Sequence, residues 1–238
     1  MNDTRDTQNP HSISRRRLLW QLAAIGALSP AGISGFIRNA LAKGDIPTVP
    51  GVNTLKGTAT VNDSAAKVGT PVKPGDRVTT GRASQAVVVV DGDAFLLREN
   101  TSIEFKQSSG ALETVQIVTG KILSVFAKRR DTSRLQARIP TGTIGIRGTG
   151  MYLEVEDKRT YFCLCYGEAA IEGGGMEKPF LVATKHHESP LWLYDNGGIM
   201  KVEPGPFLNH SDEELIMLEA LCGREPPFKG QPYPFYKY

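Results

Sequence analysis

All three cysteines of the chain, and three of its four histidines, lie between positions 163 and 222 of 238. Cys163 and Cys165 stand two apart in Thr160-Tyr161-Phe162-Cys163-Leu164-Cys165-Tyr166, a run whose β-branched and aromatic residues predict a strand. On a strand, residues two apart share a face. Such neighbours are poorly placed to bridge each other, because their separation and parallel direction do not suit a disulfide. They are well placed to share a metal ion. His186, His187 and His210 are the candidate partners, and zinc, copper and iron (haem iron included) all accept Cys and His donors. If His186 and His187 sit in regular strand they face opposite sides, so only one of them contributes. Two other readings stay open. Cys222 could bridge Cys163 or Cys165, as an oxidising compartment would allow. Or the thiols are packing residues and the histidines surface residues. Glu168, beside the pair, could act as a base in a metal-dependent or redox enzyme. The sequence carries no nucleophile elbow, zincin helix or phosphate loop, and Cys-x-Cys is not the Cys-x-x-Cys of thioredoxin-like proteins. The reading is therefore of a non-enzyme.

The elements that must position these residues are strands. Ile139 to Gly167 reads as three short ones, Thr143–Ile146, Met151–Glu156 and Thr160–Tyr166, broken at Arg147-Gly148-Thr149-Gly150 and at Asp157-Lys158-Arg159. Upstream, Leu55–Val61 opens the fold. Gln85–Asp91 carries four consecutive valines and reads as a strand buried on both faces. Asp91-Gly92 turns it back into Ala94–Arg98. Ser102–Gln107 alternates, and Leu112–Val118 and Lys121–Phe126 read as a hairpin around Thr119-Gly120. Downstream come Phe180–Thr184, Leu191–Tyr194 and Ile199–Val202, the last two joined at Asn196-Gly197. One helix is expected. Ser211 is its N-cap, Glu214 completes a capping box, and Gly223 ends it. The fold class is all-β, a sandwich or jelly-roll-like domain with one C-terminal helix.

Pro140-Thr141 and Ile144-Gly145-Ile146-Arg147-Gly148-Thr149, followed by two strands and Gly167, resemble the core of the FecR domain, a β-rich module of bacterial envelope proteins. Ile139 stands where the family has Thr. Gly69, Gly75–Gly81, Ser84–Asp91 and Leu112…Gly120-Lys121-Ile122 extend the resemblance to about Thr54–Glu172. It implies an envelope-facing, non-enzymatic module. In the family's regulators such a domain senses a periplasmic signal and passes it to a cytoplasmic sigma factor. It also implies that Phe162 and Leu164 face the core, so that Cys163 and Cys165 face outward or toward a covering segment. Arg147, Gly148 and Thr149 are expected to be structural, Gly148 permitting a turn and Arg147 satisfying buried carbonyls. The Cys pair and the His pair lie outside the family's general pattern.

Ser14-Arg15-Arg16-Arg17-Leu18-Leu19 looks like a twin-arginine export signal. The apolar run Leu18–Leu28 follows, and Ala40-Leu41-Ala42 supplies a cleavage site after Ala42. The run is too short for a stable membrane span, which predicts a periplasmic protein cleaved to a mature chain starting at Lys43. An uncleaved anchor is the alternative, and a twin-arginine signal in place of a cytoplasmic sigma-binding domain argues against classical anti-sigma action. The chain has 28 basic and 25 acidic residues, of which the signal holds five Arg and two Asp, so the mature chain is neutral. Nothing in that balance suggests a nucleic-acid footprint, and no nucleic-acid partner is expected. The expected organisation is signal 1–42, linker 43–53, FecR-like β domain 54–205, and a helix with a Pro/aromatic tail over 206–238. The expected partner is an envelope protein or small ligand; a purely structural envelope scaffold is the remaining alternative.

Overall fold

The computed structural model describes residues 50–128 and 135–230. The expected export signal, over residues 1–42, and the tail aromatics beyond Gly230 lie outside the described residues. Within them the chain is all-β with one helix, as its composition predicts. The strands are β1 (Gly51–Lys56), β2 (Ala59–Val61), β3 (Ser64–Ala65), β4 (Arg77–Thr80), β5 (Gln85–Val90), β6 (Asp93–Leu97), β7 (Ser102–Ser108), β8 (Ala111–Val125), β9 (Gln136–Ile139), β10 (Gly142–Val155), β11 (Arg159–Glu172), β12 (Phe180–Thr184), β13 (Leu191–Asp195) and β14 (Met200–Pro204). The helix α1 spans Asp212–Leu221.

Hydrogen bonding joins these strands into one sheet in the order β14-β13-β11-β10-β9-β8-β7-β4-β2-β3, with β1-β5-β6 attached through β8 and β12 through β11. Its long strands change partners along their length. The first half of β8 pairs with β7 and runs parallel to β9; its second half pairs with β6 and β10. Three strands are longer than the sequence suggests. β8 runs straight through Thr119-Gly120, so that pair is not a hairpin turn. Gly120 (φ +103°) is needed because a Cβ there would lie 2.4 Å from Thr101 Cα. β10 likewise passes through Arg147–Gly150, where the register against β11 shifts: the glycine-rich motif is a bulge, not a turn.

Side-chain alternation divides the buried residues in two. Val88, Val90, Phe95, Leu97, Ile122, Leu153, Phe162 and Leu164 belong to the main core. Their neighbours Val87, Val89, Leu96, Leu123, Tyr152, Tyr161 and Cys163 are equally buried but stand outside that cluster. The β5-β6-β8-β10-β11 portion therefore has a second covered face, which explains the valine run of β5. The cover is α1 and the segment leading to it. The helix turns Leu215, Met217, Leu218 and Leu221 inward and packs over β6 and β8. Its capping box is formed as expected: the Ser211 hydroxyl accepts from the Glu214 N–H, the Glu214 carboxylate accepts from the Ser211 N–H, and Gly223 follows with φ +69°.

Candidate metal centre

Cys163 and Cys165 lie on this second face, both fully buried. Phe162 and Leu164 point into the main core, as expected. The register explains how β11 presents both thiols. Gly150 pairs with Tyr166 and Met151 with Leu164, leaving Cys165 as the extra residue of a bulge. Tyr166 then stays on the side of the helix, where its hydroxyl bonds the buried Glu219 carboxylate.

The two adjacent histidines divide their roles. β12 ends at Thr184, and His187 adopts a left-handed backbone (φ +54°) in the bend that follows. Its N–H bonds the Cys165 carbonyl at 2.9 Å, which fixes the bend against β11. The ring then faces the thiols: His187 Nδ1 is 3.5 Å from Cys163 Sγ. His210, just before the N-cap of α1, brings its Nε2 to 3.2 Å from the same His187 Nδ1. Sγ of Cys163 and Cys165, Nδ1 or Nε2 of His187 and of His210 lie within 4.8 Å of one another, all four residues buried. His186 is not among them. Its Nε2 turns to Asp212, at 2.9 and 3.0 Å from the two carboxylate oxygens, and its ring stacks on Phe228 at 4.3 Å. Cys222 is also apart. It sits at the C-cap of α1 near Arg224, Glu219 and Asp93, where burial pushes its thiol up to about 11, and all three cysteines are free thiols.

The outer nitrogens of the two inner histidines are engaged. His187 Nε2 is 3.0 Å from an Asp212 oxygen, and His210 Nδ1 is 2.6 Å from the Leu208 carbonyl. Carbonyl and ionised carboxylate can only accept, so each ring places its N–H there. The inner nitrogens, His187 Nδ1 and His210 Nε2, are thereby left as lone pairs that face each other. A positive centre between them, a proton or a cation, removes the repulsion. For an ion bound by nitrogen at about 2.0–2.1 Å and sulfur at about 2.3 Å, a tetrahedron has N···N edges of about 3.3 Å and S···N edges of about 3.5 Å. The observed 3.2 and 3.5 Å match those edges.

Without an ion, protons do the same work. Burial raises Cys163, but hydrogen bonds from Cys165, His187 and His210 outweigh it and hold the thiol well below its ordinary range. Burial and the adjacent Cys163 push Cys165 well above it. Burial lowers His187, yet Asp212 and Cys163 raise it overall. Burial raises Asp212, yet His187 and His186 hold it below the usual carboxylate range. Together these shifts favour negative charge on Cys163 and positive charge on His187. Aromatic rings close the site: Tyr152 stacks on His210 at 4.6 Å, and Phe207 stands edge-on to His187 at 4.8 Å.

Asp212 is the site residue missed by reading the sequence. Its one signal, an acid two residues after His210, is also what a capping box displays. The Arg147-Gly148-Thr149 motif contributes spacing. Arg147 is exposed and does not serve buried carbonyls; Thr149 is buried, and Gly150 lies so close under the Tyr166 ring that a Cβ would come within 2.4 Å of it. Glu168, offered as a base, is exposed on the strand beyond the site.

The family model described as FecR protein matches residues 76–170 of the chain. Two crystal structures, each of a candidate anti-sigma factor from Parabacteroides distasonis ATCC 8503, resemble the chain with 11% identity and TM-scores of 0.43 and 0.42. Each match covers 54% of this chain and 59% of that one. No curated protein matches the chain. Cys163 and Cys165 thus belong to the matched domain, whereas His187, His210 and Asp212 come from beyond it. Among the described residues no helix is long and apolar enough to cross a membrane.

Proposed function

We propose that the chain is an exported periplasmic FecR-domain module with a binding or signalling role, and that it holds one metal ion through Cys163, Cys165, His187 and His210. The observation that carries this reading is the buried four-donor cluster, in which the His187 and His210 nitrogens stand 3.2 Å apart and Cys163 Sγ lies 3.5 Å from His187 Nδ1. Support comes from the hydrogen bonds to the outer histidine nitrogens, the arrangement that orients metal-bound imidazoles. Four protein donors fill a tetrahedral shell and leave no position for a reacting water, which favours a structural ion over a catalytic one. The twin-arginine motif and Ala40-Leu41-Ala42 support export; the FecR domain supports a partner among envelope proteins or small ligands.

The test is metal content of untagged protein. We expect close to one ion per chain, lost in Cys163→Ser and Cys165→Ser and kept in Cys222→Ser. Metal-free protein, or metal retained by both strand variants, overturns the assignment. Fractionation of cells making the full chain tests the compartment: the expected result is processed protein in the periplasm.

A further inference from the structure

Resting on the metal reading above, we infer that the ion is zinc(II) and that it staples the C-terminal segment Phe207–Phe228 to the FecR domain, so that occupancy decides whether the second face of the sheet is covered. The donor set selects the ion class. Two thiolates and two neutral imidazoles carry a charge of minus two, which a divalent ion cancels. A monovalent copper ion would leave a net negative charge in a site where all four residues are buried and Asp212 already adds another, and buried uncompensated charge is costly. Tetrahedral two-sulfur, two-nitrogen coordination is zinc's preference among divalent ions. A two-iron cluster would place the cysteines and histidines on separate irons, whereas here Cys163 Sγ and His187 Nδ1 are 3.5 Å apart.

The staple follows from where the donors come from. The cysteines belong to β11, inside the matched domain; His187 belongs to the bend after β12; His210 belongs to the segment itself. One ion therefore ties three stretches of chain at a single point, adding to the hydrogen bonds of His187 with the Cys165 carbonyl and with Asp212. The rest of the segment's attachment is of a different kind. Leu215, Met217, Leu218 and Leu221 bury an apolar stripe, but none of them joins the main core. Its polar ties are separate points along the sheet: the Leu208 N–H donates to the buried Tyr161 hydroxyl at 3.2 Å, Arg98 to the Asn209 carbonyl at 2.6 Å, Asn209 to Glu154 at 2.6 Å and Tyr166 to the Glu219 carboxylate, while Asp212 meets His186 and His187 beside the site itself. The main core lies on the opposite side of the sheet, and no residue of the segment belongs to it.

Hydrogen exchange on the full chain tests this, with zinc loaded and after its removal by a chelator. The expected result is one bound zinc, amide exchange at least tenfold faster across residues 207–221 once it is removed, unchanged protection in β7 and the first half of β8, and restoration on adding zinc. His210→Gln, which removes the segment's own donor, should behave as the zinc-free protein. Zinc that binds and leaves without altering exchange over 207–221, or whose loss opens the whole sheet equally, overturns the staple while leaving the metal site standing. A chain that binds no zinc but does bind copper(I) or iron overturns the choice of ion; one that binds no metal overturns the reading on which the inference rests.

Discussion

At the scale of the residue, the site depends on which nitrogen of each histidine is held from outside. Asp212 fixes the proton of His187 on Nε2 and so aims Nδ1 inward; the Leu208 carbonyl does the same for His210. Loss of such a partner weakens metal binding by about 10–100-fold. Asp212→Asn should therefore lower zinc affinity by that factor in a competition titration, while the cobalt-substituted protein keeps its thiolate charge-transfer band. A variant with unchanged affinity would remove Asp212 from the site. The Cys pair was legible because period-two spacing alone puts two thiols on one face. The choice of His187 over His186 was not, since it turns on a left-handed backbone held by the Cys165 carbonyl. Asp212 was hidden because an acid in the first turn of a helix has an ordinary explanation.

At the scale of the element, glycine was the source of error. Thr119-Gly120 and Arg147–Gly150 have the composition of turns, yet both lie inside long strands, where glycine serves close approach and a bulge. Gly120→Ala would place a Cβ 2.4 Å from Thr101 Cα at a positive φ. We expect it to destabilise by at least ~1–3 kcal/mol in urea unfolding; a neutral result would mean that β8 does bend there. Where turn chemistry and pattern agree, the elements were legible. Asp91-Gly92 and Asn196-Gly197 connect hairpins, and Ser211 caps α1. Ser211→Ala should cost about 1 kcal/mol, seen in the same measurement, and should loosen the helix start that carries Asp212.

At the scale of the molecule, the β5-β6-β8-β10-β11 portion of the sheet is covered on both sides, by the main core and by the α1 segment. The valine run of β5 announced a strand buried twice over, but which segment covers it was fixed only by tertiary packing. We expect the docking of that segment to weaken in acid. Burial raises Glu154, but hydrogen bonds from Asn209, Tyr152 and Lys121 outweigh it and hold its carboxyl below the ordinary range. A carboxyl lowered in the folded state stabilises above its unfolded value and loses that contribution as pH falls through the folded one. Glu154→Gln should thus flatten the fall in thermal midpoint below about pH 4.5; a variant with the wild-type acid profile would place the sensitivity elsewhere.

The central claim is that one ion sits among two sulfurs and two imidazole nitrogens, and X-ray absorption at the metal edge reads that shell directly. On zinc-loaded protein the account predicts two sulfurs at about 2.3 Å and two nitrogens at about 2.0–2.1 Å, with outer-shell scattering from two imidazole rings. A shell of oxygen and nitrogen alone, or one with a single sulfur and a bound water, would contradict it.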